Sequence, residues 1–417
     1  MAYNPASTIV VVGGGQAAVE LAFGLRKGGH GGRVVIISEE SHPPYQRPPL
    51  SKGYLTGKVV LGDLYLRPMA TYEEAKIELL LNTRVQTLDR AAQQLILDNG
   101  NSVGYDLLAL TVGGRPRQLP ILHQERNSTN VHYLRSIVDI DALREQARPG
   151  RRVVIIGGGY IGLEAASVAV TLGAEATVVE AMPRVLARVT APHMSEFYES
   201  VHRSHGVRIV TGASVIAAST DDRTSEVASV TLDSGEVLET DVLVVGVGLV
   251  PNTELAEEAG LVVDGGIVVN EACQTNDPRI YAAGDCTKHP SQLHDGDLVR
   301  VESVSNAVEQ GRVAARNMLG NEAVHDAVPW FWSDQYDLKL QMVGRSTNHD
   351  EIVTRGNPEE KSFSTFYLAA GRLIGADTVN RPTDFAWARR LVAKDVPVQV
   401  AALADEGVPL KSLLTYG

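Results

Sequence analysis

Two glycine clusters in this chain have the spacing of a phosphate cradle. The first reads Gly13-Gly-Gly15-Gln-Ala17-Ala18, a G-x-G-x-x-A run, and the second Gly157-Gly-Gly159-Tyr160-Ile161-Gly162, a G-x-G-x-x-G run. In such a run the first glycine makes a tight turn and the second lets backbone approach a pyrophosphate. The last position, Gly or Ala, lets helix and strand pack closely. A helix that opens there offers free N–H groups and a partial positive charge to phosphates. Each cluster is followed by an acid, Glu39 or Glu180, where a carboxylate can accept hydrogen bonds from ribose hydroxyls. A carboxylate at 180 would also repel a 2′-phosphate, which favours NADH over NADPH. Arg184 and Arg188 lie close by and could meet phosphate instead.

The elements that would position these residues are legible on both sides of each cluster. Thr8-Ile-Val-Val-Val12 is an apolar run of buried-strand type. Gln16 to Lys27 reads as a helix, and Arg33 to Ser38 as a second strand that ends at Glu39. The same order recurs from Arg152: a strand Val153–156, the glycines, a helix to about Leu172, then Thr177-Val-Val-Glu180. Strand, glycine turn, helix, strand, acid is one βαβ unit, and two copies predict two nucleotide-binding domains. Tyr105–110 and Asp241–245 read as strands running into glycine loops where the chain leaves one domain for another. Ile280-Tyr-Ala-Ala-Gly-Asp285 is a short strand ending on an acid, and 302–319 reads as an amphipathic helix. After Asp326 alternating strands such as 364–368 and 372–376, and a helical tail, predict a third, α+β domain.

Composition narrows the class. In 417 residues Lys plus Arg number 38 against 50 for Asp plus Glu, a net charge of −12. That balance argues against non-specific binding to nucleic acid or to an anionic membrane. No apolar run approaches the roughly 18 residues that would span a bilayer, and no basic residue precedes the first apolar stretch, so the expectation is a cytoplasmic protein. Two cysteines, Cys273 and Cys286, have neither C-x-x-C nor metal-site spacing, and no metal site is expected.

Two βαβ units in this order, Ala283-Gly-Asp285, and Pro44-Tyr-Gln-Arg47-Pro-Pro-Leu-Ser-Lys52 together resemble the flavin-dependent pyridine-nucleotide reductases. Tyr133-Leu-Arg135, Gly157–Glu164, Arg188-Val-Thr-Ala-Pro, Arg300–Val304 and Pro329–Gln335 carry the likeness along nearly the whole chain. They narrow it to FAD-dependent NADH:ferredoxin reductases of putidaredoxin-reductase type. The resemblance implies two Rossmann-like domains and a carboxyl-terminal α+β domain that covers the flavin. The expected bounds are 1–114 with 245–325 for FAD, 115–244 for NADH, and 326–417 for the third domain.

Carried over by position, Gly13, Gly15, Ala17, Ala18 and Glu39 hold the ADP half of FAD. Arg47, Lys52, Val85, Thr111, Arg135 and Asp285, and the helix start at Glu302, Ser303 and Val304, serve the rest of that cofactor. NADH falls to Gly157, Gly159, Tyr160, Ile161, Gly162, Glu180 and Arg188. The resemblance sets the Lys52 ammonium beside the flavin, pairs it with Glu164, and gives Trp332 a flavin-side place, with Trp330 more of a core residue. With no cysteine in the amino-terminal stretch, electrons leave the flavin without a thiol relay. The implied function is hydride uptake from NADH onto FAD and delivery of single electrons to a [2Fe–2S] ferredoxin. That carrier serves a haem-thiolate monooxygenase or a ring-hydroxylating oxygenase. A rubredoxin reductase or NADH oxidase on the same scaffold, and a flavin-bearing signalling protein, are the alternatives. Docking of an acidic ferredoxin calls for a local basic patch, with Arg67, Arg312 and Lys411 as candidates.

Overall fold

The computed structural model describes residues 4–123, 128–395 and 397–415. These fall into two compact units. The first takes residues 1–46, 62–115 and 250–331, and the second 47–61, 116–249 and 332–417.

The first unit is built on a five-stranded sheet in the order Ile280–Ala282, Leu107–Leu110, Ile9–Val12, Val34–Ile37, Ile77–Leu80. Every pairing in it is parallel. The strand Ile9–Val12 is buried along its length, as expected of a central strand covered on both faces. One face packs Ile9, Val11, Val34 and Ile36 against Ala18, Leu21 and Leu25 of the helix Gln16–Lys27, and against Ala314 and Met318 of the helix Val304–Met318. Burying each of the Val, Leu, Ile and Met side chains stabilises the fold by roughly 1.5–3 kcal/mol against exposure. The two helices approach closely through glycine: a Cβ at Gly311 would stand 2.7 Å from the Ala17 carbonyl oxygen. The second helix begins at Val304, not at Glu302, because the Ser303 hydroxyl accepts the Asn306 N–H and caps it.

The second unit repeats the parallel design. Its sheet runs Arg208–Thr211, Glu175–Glu180, Arg152–Ile156, Val242–Val245, Val131–Tyr133, with parallel pairing throughout. A further five-stranded sheet follows in the order Trp330–Gln335, Leu338–Gly344, Arg372–Val379, Ser362–Ala369, Glu351–Asn357. Pairing among its last four strands is antiparallel. This α+β portion, with its helix Pro382–Lys394, shares a core with the nucleotide fold. Phe197 meets Phe363 edge-on at 4.9 Å between centroids, and His193 Nε2 lies 3.0 Å from Thr365 Oγ1. The segment 47–61, which the sequence reading put in the first domain, groups with the second unit as well. Tyr54 donates to Asp141 at 2.9 Å and stacks under the Arg144 guanidinium, and these contacts tie it there.

Candidate active site

In the first unit Gly13 has φ +111°, a conformation closed to L side chains, and a Cβ would stand 2.3 Å from the Thr111 carbonyl oxygen. Thr111 is buried and donates from Oγ1 to Val12 O at 2.9 Å, which fixes the turn. Gly15 is the extended N-cap of the helix Gln16–Lys27. No side chain caps that end, and a Cβ on Gly15 would meet nothing within 4 Å. An uncapped helix N-terminus facing open space behind a glycine turn fits a dinucleotide pyrophosphate. Ala17 and Ala18 are buried in the first turn, Ala17 packing with Ala283 and Ala307. Glu39 is exposed just past the strand Val34–Ile37. Asp285 follows Gly284, whose N–H donates to Gln310 Oε1 at 2.7 Å. Val85 opens a strand of a separate three-stranded sheet, and Glu302 is paired with Arg300.

The second unit carries the same cradle. Gly157 has φ +108°, and a Cβ at Gly162 would stand 1.9 Å from Gly157 O. Gly159 caps the helix Tyr160–Thr171 with no side-chain bond and open space around it. Glu180 is pinned at its mouth, its Oε2 accepting from Gly158 N–H at 2.6 Å and Oε1 from Met182 N–H at 2.7 Å. The Tyr160 hydroxyl reaches Met342 Sδ at 2.6 Å, and Ile161 is exposed. Arg184 is spent locally on Ser195 Oγ and Ala187 O, at 2.6 and 3.0 Å, whereas Arg188 is exposed.

Also in the second unit, Lys52 Nζ stands 2.8 Å from Glu164 Oε1. Lys52 comes from the irregular turn Leu50–Tyr54 and Glu164 from the helix that opens at Tyr160. Glu164 is 1% exposed and Lys52 17%. Two hydroxyls complete the carboxylate's shell, Ser51 on Oε2 and Ser333 on Oε1, both at 2.6 Å. Burial pushes the Glu164 carboxyl up, and the Lys52 ammonium, then the Ser333 and Ser51 hydroxyls, pull it back down. Arg47 donates to Arg135 O at 2.9 Å, and the Arg135 N–H to Asp139 at 3.1 Å. Trp332 lines a cleft of about 360 Å³ with Asp334, Lys339, Gln341, Asn380 and Pro382, while the Trp330 carbonyl in the first unit accepts from Ser305.

Of the docking candidates, Arg67 and Lys411 are exposed, while Arg312 is held by Glu20 at 3.0 Å and Glu309 at 3.1 Å. Cys273 and Cys286 are free and fully buried. Burial pushes the Cys286 thiol up to about 12, and Cys273 higher still, so both are inert packed groups. Sequence reasoning missed Ser51 and Ser333 although both sit inside stretches that carried the family likeness. It also passed over Gln335, at the end of one of those stretches, and had no signal for His202 and Asp377, whose partners Gln335 and Thr190 are far away in the chain.

Comparison with known proteins gives the family. The family model for pyridine nucleotide-disulphide oxidoreductases matches residues 7–311, and the reductase C-terminal model matches 330–414. The chain is 44% identical over 412 residues to putidaredoxin reductase of Pseudomonas putida, covering 99% of this chain and 97% of that protein. It is 39% identical to the ferredoxin–NAD(+) reductase component of the anthranilate 1,2-dioxygenase system of Burkholderia cepacia, covering 98% of this chain and all of that one. The crystal structure of the covalent putidaredoxin reductase–putidaredoxin complex superposes with a TM-score of 0.96 at 44% identity, covering 99% of both chains. The chain belongs to the pyridine nucleotide-disulphide oxidoreductase family and, within it, to the ferredoxin reductases of putidaredoxin-reductase type.

Proposed function

We propose that this protein is an NADH:ferredoxin oxidoreductase that holds FAD in its first unit and NADH in its second, and reduces a [2Fe–2S] ferredoxin serving a monooxygenase or dioxygenase. The observation that carries the reading is the pair of cradles, each an uncapped helix N-terminus behind a glycine turn that no larger residue could make. FAD, when bound, supplies acceptance of two electrons from NADH and their release one at a time. The chain's own residues do the rest. Gly13, Gly15 and the first turn at Ala17 and Ala18 hold a pyrophosphate, with Glu39 and Asp285 for hydroxyls. Gly157, Gly159 and Gly162 do the same for NADH, and Glu180, already fixed by two backbone N–H groups, disfavours a 2′-phosphate.

Lys52 presents an ammonium whose counter-ion is buried, so it is held at one place rather than left to sample solvent. Trp332 offers an aromatic face, and Arg47 and Arg135 a joined pair of guanidinium-bearing residues. In functional terms, FAD goes to 1–114 with 245–325 and NADH to 115–244, and 326–417 is a third domain. Arg67, Arg312 and Lys411 are proposed contacts for an acidic ferredoxin. Among the described residues no helix is long and apolar enough to cross a membrane, in keeping with the cytoplasmic setting we propose. Steady-state NADH oxidation with a [2Fe–2S] ferredoxin, a rubredoxin or oxygen alone tests the reading. Fast turnover is expected with the ferredoxin only, and equal or faster turnover with rubredoxin or oxygen would overturn it.

A further inference from the structure

Behind the Lys52–Glu164 pair lies a line of buried polar side chains that the reading above leaves unused. Ser333, whose hydroxyl meets Glu164 Oε1, is itself 3.1 Å from Gln335 Nε2. Gln335 Oε1 is 2.8 Å from His202 Nε2, and His202 Nδ1 is 3.0 Å from the Tyr336 hydroxyl. The Tyr336 ring stacks on His205 at 3.8 Å between centroids. Ser333 and His202 are fully buried, Gln335 and Glu164 are 1% exposed, and Tyr336 at the far end is half-buried.

The donor and acceptor inventory fixes the direction of the whole line. An ionised carboxylate only accepts, so Ser333 gives its one proton to Glu164 and must accept from the Gln335 amide nitrogen. The amide oxygen then faces His202, which must carry its proton on Nε2. A neutral imidazole in that tautomer leaves Nδ1 to accept from Tyr336. His202 is neutral because burial lowers it to about 4. Protonating Glu164 on the Ser333 side would turn that oxygen into a donor and take from the Ser333 hydroxyl the acceptor it now uses, while Gln335 continues to donate to Ser333. An amide in the middle cannot hand a proton along, so the line orients and does not conduct.

We infer that Gln335 and His202 are positioning residues for the Lys52–Glu164 pair, which act through Ser333 to keep the Glu164 carboxylate ionised and aimed at Lys52. The inference rests on the proposed function only in giving the pair a role in electron transfer. The charged and titratable groups around Glu164 are Lys52 from the Leu50–Tyr54 turn, Tyr160 from its own helix and Tyr198 from the helix Pro192–Ser204. Around His202 they are His205 and Tyr336.

The test is an infrared titration of the flavin-loaded enzyme, with the protonated Glu164 band identified as the one that E164Q removes. In H202L and Q335L the midpoint of that band should rise by about one pH unit, a tenfold change in the protonated fraction. In H202Q, which keeps an N–H near the Nε2 position, it should stay with the wild type. Midpoints in H202L and Q335L that coincide with the wild type would overturn the inference, as would an H202Q midpoint displaced as far as that of H202L. Should Q335L fail to fold, the H202L and H202Q pair decides alone. Stopped-flow flavin bleaching by NADH separates the two claims. A displaced midpoint with an unchanged bleaching rate upholds the positioning role and removes the pair from the electron-transfer reading.

Discussion

Asp377 offers a quantitative check on the second unit. It is 3% exposed on the strand Arg372–Val379, and its carboxyl accepts from Tyr367 at 2.6 Å and from the Thr190 hydroxyl. Thr190 lies two residues beyond Arg188, so this contact anchors the loop that carries Arg188 to the carboxyl-terminal sheet within one unit. Burial pushes the carboxyl up to about 6, with the two hydroxyls opposing. A carboxyl raised in the folded state binds its proton more tightly there than in the unfolded chain. Its stabilisation is therefore complete below the ordinary aspartate range near 4 and is lost as pH rises through about 6.

The gap of roughly two units is worth about 3 kcal/mol. D377N abolishes the titration while keeping an oxygen to accept both hydroxyls. Because the unfolded aspartate is already partly ionised at pH 4, the stability of D377N relative to the wild type should rise by about 2.5 kcal/mol between pH 4 and pH 7.5. His202 works in the opposite sense, since its lowered value gives stability above its ordinary range that is lost as pH falls through about 4. That contribution is common to both proteins and cancels in the difference. Urea unfolding at half-unit pH steps, followed by tryptophan fluorescence, measures it. A difference between the two proteins that stays flat from pH 4 to 7.5 would refute the assignment of a buried, proton-binding Asp377.

The two cradles should fail separately. G13A forces a Cβ to 2.3 Å from Thr111 O at φ +111°, and is expected to leave the purified protein short of flavin by its absorbance ratio. G162A, with a Cβ 1.9 Å from Gly157 O, is expected to keep its flavin while weakening NADH at least tenfold by titration. E180A removes the acceptor for Gly158 and Met182 N–H together with the charge that opposes a 2′-phosphate. The ratio of kcat/KM for NADH over NADPH should fall about tenfold or more, and an unchanged ratio would show that Glu180 only braces the turn.

Much of this protein is written locally. The strand Ile9–Val12, the turn at Gly13 and the helix from Gln16 are contiguous, and so are their counterparts from Arg152. A glycine required by φ near +110° announces itself in sequence, because no other residue adopts that conformation cheaply. The acids at 39 and 180 are legible for the same reason: the length of a βαβ unit sets where its second strand ends. The likeness to a known family added Lys52, Glu164 and Trp332, which composition and periodicity alone did not single out.

What folding decided is the set of contacts between residues far apart in the chain. Ser51, Glu164 and Ser333 share one carboxylate although more than 100 residues separate each from the next. The segment 47–61 is adjacent in sequence to the first nucleotide fold but spends its polar groups on Glu164, Asp141 and Arg135 of the second unit. The line from Tyr336 to Glu164 exists only because the helix Pro192–Ser204 places His202 against the strand that ends at Gln335. A buried polar group must find a partner wherever the packed chain provides one, and sequence spacing carries no record of that choice.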